Sequence, residues 1–128
     1  MKDILIMGAG DLGKDAAWLI ERINEKNPEW NLLGFTEKGE MEEFQGYPIL
    51  GTDDVIRDYD DIYVVCALAN TAVRERIINT LPENAHVVTL IDPCAIIHRT
   101  AEIGEGSMVF AGAMVGIEAK VGKQCIVL

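Results

Sequence analysis

Residues 91–128 read IDPCAIIHRT AEIGEGSMVF AGAMVGIEAK VGKQCIVL, and this stretch decides the fold. Ile91, Ile97, Ile103, Val109, Val115, Val121 and Val127 recur one every six residues. Four residues after each of the first six stands something small: Ala95, Ala101, Ser107, Ala113, Ala119 and Cys125. Gly104, Gly116 and Gly122 directly follow their aliphatics. Fixed self-similarity of this kind is the signature of a β-solenoid. Each hexad supplies a short strand and a tight turn, with the β-branched residue pointing inward. An ordinary β-meander would slip out of phase at turns of variable length, and this series does not slip. With three hexads to a coil, residues 91–128 supply about two coils. Solenoid coils lean on their neighbours and need capped ends. The series stops within a hexad at Val127-Leu128 without a polar cap, which predicts a fragment of a longer protein.

Upstream of the repeats, periodicity changes. Asp3-Ile4-Leu5-Ile6-Met7 is an apolar run suited to a buried parallel strand. Ala16, Ala17, Leu19, Ile20 and Ile23 form a helical stripe that fades at Asn27-Pro28. Further strands are predicted at 31–35, 62–67 and 86–91, with a turn and short extended piece at 46–51. Thr52 is placed to cap a helix beginning Asp53-Asp54, and Asn70 or Thr71 to cap the helix carrying Arg74, Ile77, Ile78 and Leu81. Strands alternating with helices predict a small wound parallel α/β sheet, Rossmann-like, over residues 1–90. Residues 91–128 then form the first coils of a β-helix.

Between the first strand and helix, Gly8-Ala9-Gly10-Asp11-Leu12-Gly13 fits the pattern GxGxxG. Such a loop can cradle a phosphate: the first glycine allows the turn, the second admits the phosphate to the backbone, and the third packs helix on strand. Lys14 could neutralise the anion, or be a solvated surface lysine. Glu37, just past the second strand, is placed to bind a ribose hydroxyl. The same turn could also be structural, a lesser reading, because glycines also serve tight turns and close packing.

Composition narrows the partners. The net charge is −10, concentrated in residues 1–90, and nothing resembles a basic patch, which argues against nucleic acid. No apolar run approaches a membrane span, and no signal peptide precedes the first strand. Cys66, Cys94 and Cys125 are odd in number and widely spaced, which rules out a CxxC metal or redox motif and predicts a reducing, cytoplasmic setting. All three are expected to act as small buried hydrophobes. His98 is expected at an exposed turn and His86 at a strand start.

A small wound α/β domain running straight into hexads resembles the sialic acid O-acetyltransferase (NeuD-like) family of hexapeptide-repeat sugar acyltransferases. The resemblance spans the chain through Gly8–Lys14, Gly34-Phe35-Thr36-Glu37, Gly46–Gly51, Ala69-Asn70 with Arg74, and Asp92-Pro93-Cys94-Ala95. It implies an acetyl-CoA-dependent O- or N-acetyltransferase acting on a sialic acid or nucleotide-linked amino sugar. The implied acceptor pocket takes in Gly8, Gly10, Asp11, Gly13, Lys14, Glu37 and Asn70. The implied β-helix is left-handed, trimerises, and binds acetyl-CoA between neighbouring helices. The implied catalytic base is a histidine in a coil after Leu128, so this chain is expected to lack activity by itself. Three positions depart from the family's pattern: Leu12 replaces a histidine, Thr36-Glu37-Lys38 stands where an aliphatic and two aspartates are usual, and Asp92 replaces a histidine. Two other functions fit the residues less fully. One is a non-catalytic nucleotide-sugar-binding module. The other is an NAD-dependent enzyme, although residues 1–90 hold about half of a dinucleotide fold.

Overall fold

A computed structural model describes residues 1–128. Strand β1 (Lys2–Met7) leads to helix α1 (Asp11–Lys26), then β2 (Trp30–Thr36). A hairpin of β3 (Glu43–Phe44) and β4 (Tyr47–Gly51) follows, then a 3₁₀ helix (Asp53–Asp58), β5 (Ile62–Cys66), α2 (Thr71–Asn79) and β6 (Ala85–Val87). These six strands form one sheet in the order β3-β4-β2-β1-β5-β6, parallel except for the β3–β4 pair.

The alternation within β1 explains the layers. Ile4 and Ile6 face α1, packing with Ala16, Ala17, Leu19, Ile20 and Phe35. Leu5 and Met7 face the opposite side, with Ile56, Ile62, Val64 and the α2 residue Ile77. A parallel strand covered on both faces reads as a continuous apolar run, as β1 does. Helix α1 stops at Asn27 because the following Pro28 disfavours helical backbone there. The Asn24 side chain then fixes the turn into β2, accepting from the N–H groups of Glu29 and Trp30 and donating to the Trp30 carbonyl.

Seven two-residue strands follow, each one hexad after the last: β7 (Leu90–Ile91), β8 (Ile96–Ile97), β9 (Glu102–Ile103), β10 (Met108–Val109), β11 (Met114–Val115), β12 (Lys120–Val121) and β13 (Ile126–Val127). Every pairing is parallel and steps by three hexads: β7 with β10 with β13, β8 with β11, and β9 with β12. This is a β-helix with three strands to the coil. Val109 and Val115 are buried in its interior, while Ile97, Ile103, Val121 and Val127 are half-buried. The small position works as the repeat requires: Ser107, fully buried, donates from Oγ to the Gly122 carbonyl (2.7 Å) and accepts from the Cys125 N–H (3.0 Å).

Four local expectations need correction. The predicted strand 86–91 is two strands, because β6 belongs to the sheet and β7 already pairs within the β-helix. Ile91 is exposed, since β7 is the outermost strand of its face, and Leu90 is the buried residue of that pair. The segment after Thr52 is a 3₁₀ helix, and the Thr52 side chain makes no capping bond to it. Of the three cysteines, only Cys66 is fully buried; Cys94 is exposed and Cys125 intermediate.

The β-helix joins the sheet's α1 face through residues that precede the inward aliphatics on one of its three sides. Leu90 and Met108 are buried there with α1 and β1, and Ile126 packs against them. Burying side chains of this size contributes roughly 1.5–3 kcal/mol each. Beside them, Arg22 donates from Nε to Asp92 Oδ2 (2.6 Å) and from Nη2 to Oδ1 (3.3 Å). Asp92 is buried and also accepts from the Cys94 N–H at 2.7 Å.

The hydrogen bond from Arg22 holds the Asp92 carboxyl below the usual carboxylate range, although burial pushes the other way. A carboxylate depressed in the folded state stabilises the protein above its ordinary value of 3.8, and this contribution is lost as pH falls below that value. We therefore expect thermal stability to drop between about pH 5 and pH 2, with a smaller drop in Asp92→Asn. Melting temperatures of the two proteins across that range check this; identical pH profiles would contradict it.

Candidate acceptor cleft

The chain builds outward from β1 in two directions. It first runs to β2 and β4 on one side, then returns to β5 and β6 on the other. Loops leaving β1 and β5 therefore diverge, opening a crevice beyond the strands' carboxyl ends, where open α/β sheets bind ligands. Here that crevice is a cleft of about 360 Å³ lined by Met7, Gly8, Thr36, Glu37, Lys38, Asp53, Leu68, Val73, Arg76 and Ile77.

Backbone bonds fix its floor. The Gly8 N–H donates to the Thr36 carbonyl, and the Ala67 N–H to the Met7 carbonyl, both at 2.9 Å. Gly8 has φ +106°, and a Cβ there would stand 2.8 Å from Leu68 Cδ2 and 2.9 Å from the Ala67 carbonyl oxygen. Glycine is thus required both by conformation and by the close approach of the β5–α2 loop.

Both carboxylates of the cleft are held in place. Glu37 Oε2 accepts from the Ala9 N–H at 2.7 Å, and Oε1 from the Lys38 N–H at 3.1 Å. Asp53 Oδ1 accepts from the Thr36 hydroxyl at 2.7 Å. Each retains acceptor capacity, because a carboxylate offers about four lone-pair sites. Lys38 and Arg76 are exposed at the rim, and neither forms an ion pair with a protein carboxylate. The arrangement suits a ligand that carries both hydroxyl or N–H donors and negative charge. Nearby Cys66 is not a nucleophile in this setting: burial pushes its thiol up to about 11, which keeps it protonated.

Residues 3–81 match the family model for the PglD N-terminal domain. The chain belongs to that family. The kinship expected from the sequence holds at the level of this PglD N-terminal domain. No curated protein matches the chain. Among solved structures, a mutant of perosamine N-acetyltransferase from Caulobacter crescentus, in complex with CoA and GDP-perosamine, superimposes with a TM-score of 0.82 at 19% identity, over 98% of this chain and 60% of that one. The acetyltransferase domain of PglB from Neisseria gonorrhoeae, in complex with acetyl coenzyme A, gives a TM-score of 0.74 at 24% identity, over 98% and 66%. The chain thus spans about 60% of the length of the first of these neighbours. At such identities the likeness establishes the fold: a wound α/β sheet followed by a β-helix.

Within this PglD N-terminal domain, Gly8 and Glu37 are the two sequence-predicted residues that line the cleft. Gly10 lies in extended backbone with no atom near the position of a Cβ. Asp11 is exposed in the first turn of α1. Gly13 packs α1 onto the Gly8 carbonyl, as the third glycine of such a loop should. Lys14 lies beside Asp15, Trp18, Glu21 and Gln45, away from the cleft. Asn70 caps α2, accepting from the Val73 N–H at 3.1 Å. Thr36 falls in the segment expected to bind beside Glu37, whereas Asp53 and Arg76 carry no such signal in the sequence, because they come from separate elements that only the fold brings together. His98 bonds Thr100 within its turn, and His86 pairs with Asp61 at the sheet's other end.

Proposed function

We propose that this chain is the acceptor-binding domain and first coils of an acetyl-CoA-dependent sugar acetyltransferase, with a nucleotide-linked amino sugar in the cleft. The observation that carries the reading is the cleft itself, where two anchored carboxylates and two unpaired cations line one crevice at the sheet's switch point. Glu37 and Asp53 would accept from ribose or base donors, and Lys38 and Arg76 would take the diphosphate. Gly8 keeps the floor open. The crystallised neighbours support this reading, since one is complexed with CoA and GDP-perosamine and another with acetyl coenzyme A. A sialic acid acceptor, with a free carboxylate in place of a diphosphate, is the finer variant the cations would also serve.

In this account residues 1–90 hold the acceptor and residues 91–128 begin the left-handed helix that presents the acetyl donor. Acetyl-CoA supplies the acyl group, and the sugar amine or hydroxyl takes it as the CoA thiol departs. A histidine of later coils takes the proton from the acceptor and passes it to the departing thiolate; no residue of this chain is assigned that role. A homotrimer through the β-helix is part of the proposal. Ile96 and Met114 support it, being 66% and 72% exposed on the side of the coils where β8 pairs with β11.

Calorimetric titration with GDP- and UDP-linked 4-amino sugars tests the acceptor assignment. Binding is expected, and Lys38→Glu and Arg76→Glu should each weaken it about tenfold, the equivalent of losing a charge-assisted hydrogen bond. Binding indifferent to both reversals would overturn the assignment. NAD binding tighter than any nucleotide sugar would favour the dehydrogenase alternative instead.

A further inference from the structure

Arg74 stands on α2, between Asn70 and Ile77, yet its side chain is neither apolar nor ion-paired. It is 5% exposed. Its guanidinium Nη1 donates to the Leu68 carbonyl (2.9 Å) and, more weakly, the Ala69 carbonyl (3.5 Å). Nη2 donates to the Gln124 carbonyl at 2.5 Å. No carboxylate lies within ion-pairing distance. A buried charge is costly unless hydrogen-bonded, so the cation depends on these carbonyls and they on it.

The two sets of carbonyls belong to different parts of the molecule. Leu68 and Ala69 form the β5–α2 loop, and Leu68 is a wall of the acceptor cleft. Gln124 lies in a coil turn in the left-handed backbone region, with φ +56°. Its N–H donates to the Glu105 carbonyl of the preceding coil at 2.9 Å. Between α2 and this turn runs a polar groove lined by Thr71, Glu75, Ile78, Lys123 and Gln124 among others. On the α1 side the joint is packed with Leu90 and Met108; on the α2 side Arg74 donates a hydrogen bond across it. A planar guanidinium can hold carbonyls in divergent directions at once, which a lysine ammonium on a flexible stem does less well.

We propose that Arg74 is a positioning residue that ties the cleft wall to the β-helix, so that a ligand held against Leu68 also orders the turn at Gln124. The proposal rests on the acceptor reading of the cleft. It assigns the cleft an effect on the coils without any ligand contact to them. An ordering effect of this kind requires a physical element shared by both sites, and the guanidinium is that element.

Hydrogen exchange read by mass spectrometry tests it in wild type, Arg74→Met and Arg74→Lys. Peptides covering 67–70, 122–125 and, as a folding control, 2–7 are followed with and without a saturating GDP- or UDP-linked hexose. Without ligand, Arg74→Met should raise exchange about tenfold in both 67–70 and 122–125 while 2–7 stays protected, as expected for loss of a charge-assisted bond. Arg74→Lys should recover part of that protection. With ligand, wild type should gain protection in both segments, and Arg74→Met in 67–70 alone. A rise confined to 67–70 without ligand overturns the strut. So does a ligand response at 122–125 that survives in Arg74→Met, or one that is missing from wild type while 67–70 responds. Failure of every sugar to protect 67–70 would count against the acceptor reading, and the ligand-free comparison would still decide the role of Arg74. Should Arg74→Met expose 2–7, the Arg74→Lys comparison carries the same test.

Discussion

Gly13→Val is expected to be far more damaging than any change at Gly10, although both belong to the same glycine-rich loop. A Cβ at Gly13 would fall inside contact distance of the Gly8 carbonyl oxygen and 3.4 Å from Phe35 Cε1. The obstacle is backbone, so α1 must lift from the sheet. Overpacking of this kind costs about 1–3 kcal/mol and occasionally more, and the clash with an immovable carbonyl places Gly13→Val at about 3 kcal/mol or above. The gain in helix propensity from removing glycine is a few tenths of a kcal/mol, too small to compensate. Gly10, with φ −123° and open space where a Cβ would stand, is the helix cap. Gly10→Ser is expected to be neutral or slightly stabilising, because serine ranks above glycine as an N-cap. Thermal melts of the two variants check the contrast; equal losses would contradict this account of the loop.

The second large effect concerns the β-helix. Val109 is fully buried between Ile91 and Val127 of the neighbouring coils, whereas Met114, in the next strand, is 72% exposed. Val109→Asp would bury an unpaired carboxylate, and an uncompensated buried charge costs about 3–5 kcal/mol. Met114→Asp should change monomer stability by no more than about 0.5 kcal/mol. Its effect should appear in sedimentation instead. If Ile96 and Met114 lie in the trimer surface, a carboxylate there shifts the chain toward monomer. Urea denaturation measures the first effect and sedimentation velocity the second. A Val109→Asp protein as stable as wild type would reject the inward column.

These contrasts reveal what the sequence could and could not convey. The six-residue phase was legible because it is a local constraint: each strand must offer one inward aliphatic, and each coil one small residue such as Ser107. Which outward residues would be covered was not legible. Leu90, Met108 and Ile126 precede the inward aliphatics on one side and are drawn into the joint with α1, while Ile96 and Met114 occupy the same place on another side and are exposed. Apolar character alone does not distinguish them, because the docking of the sheet decides. The glycine loop was legible as a loop and Glu37 as its partner, yet the cleft's cations and Asp53 were not. Asp53 and Arg76 reach the cleft from the 3₁₀ helix and α2, on opposite sides of β1 in the sheet order. Lys14, adjacent to the loop in sequence, lies away from the cleft with the outer face of α1. Asp92 reads as a departure from the family pattern in the sequence and as the buried partner of Arg22 in the fold.

The central claim is that the cleft beyond β1, β2 and β5 holds a nucleotide-linked sugar. Backbone amide NMR during titration with GDP- and UDP-linked 4-amino sugars tests it most directly. Saturable shifts are expected at Gly8, Ala9, Thr36–Lys38, Asp53 and Leu68, with Lys14 and the residues beside it unmoved. Saturable shifts centred on Lys14, Asp15 and Trp18 instead, or none from a folded protein at millimolar ligand, would contradict it.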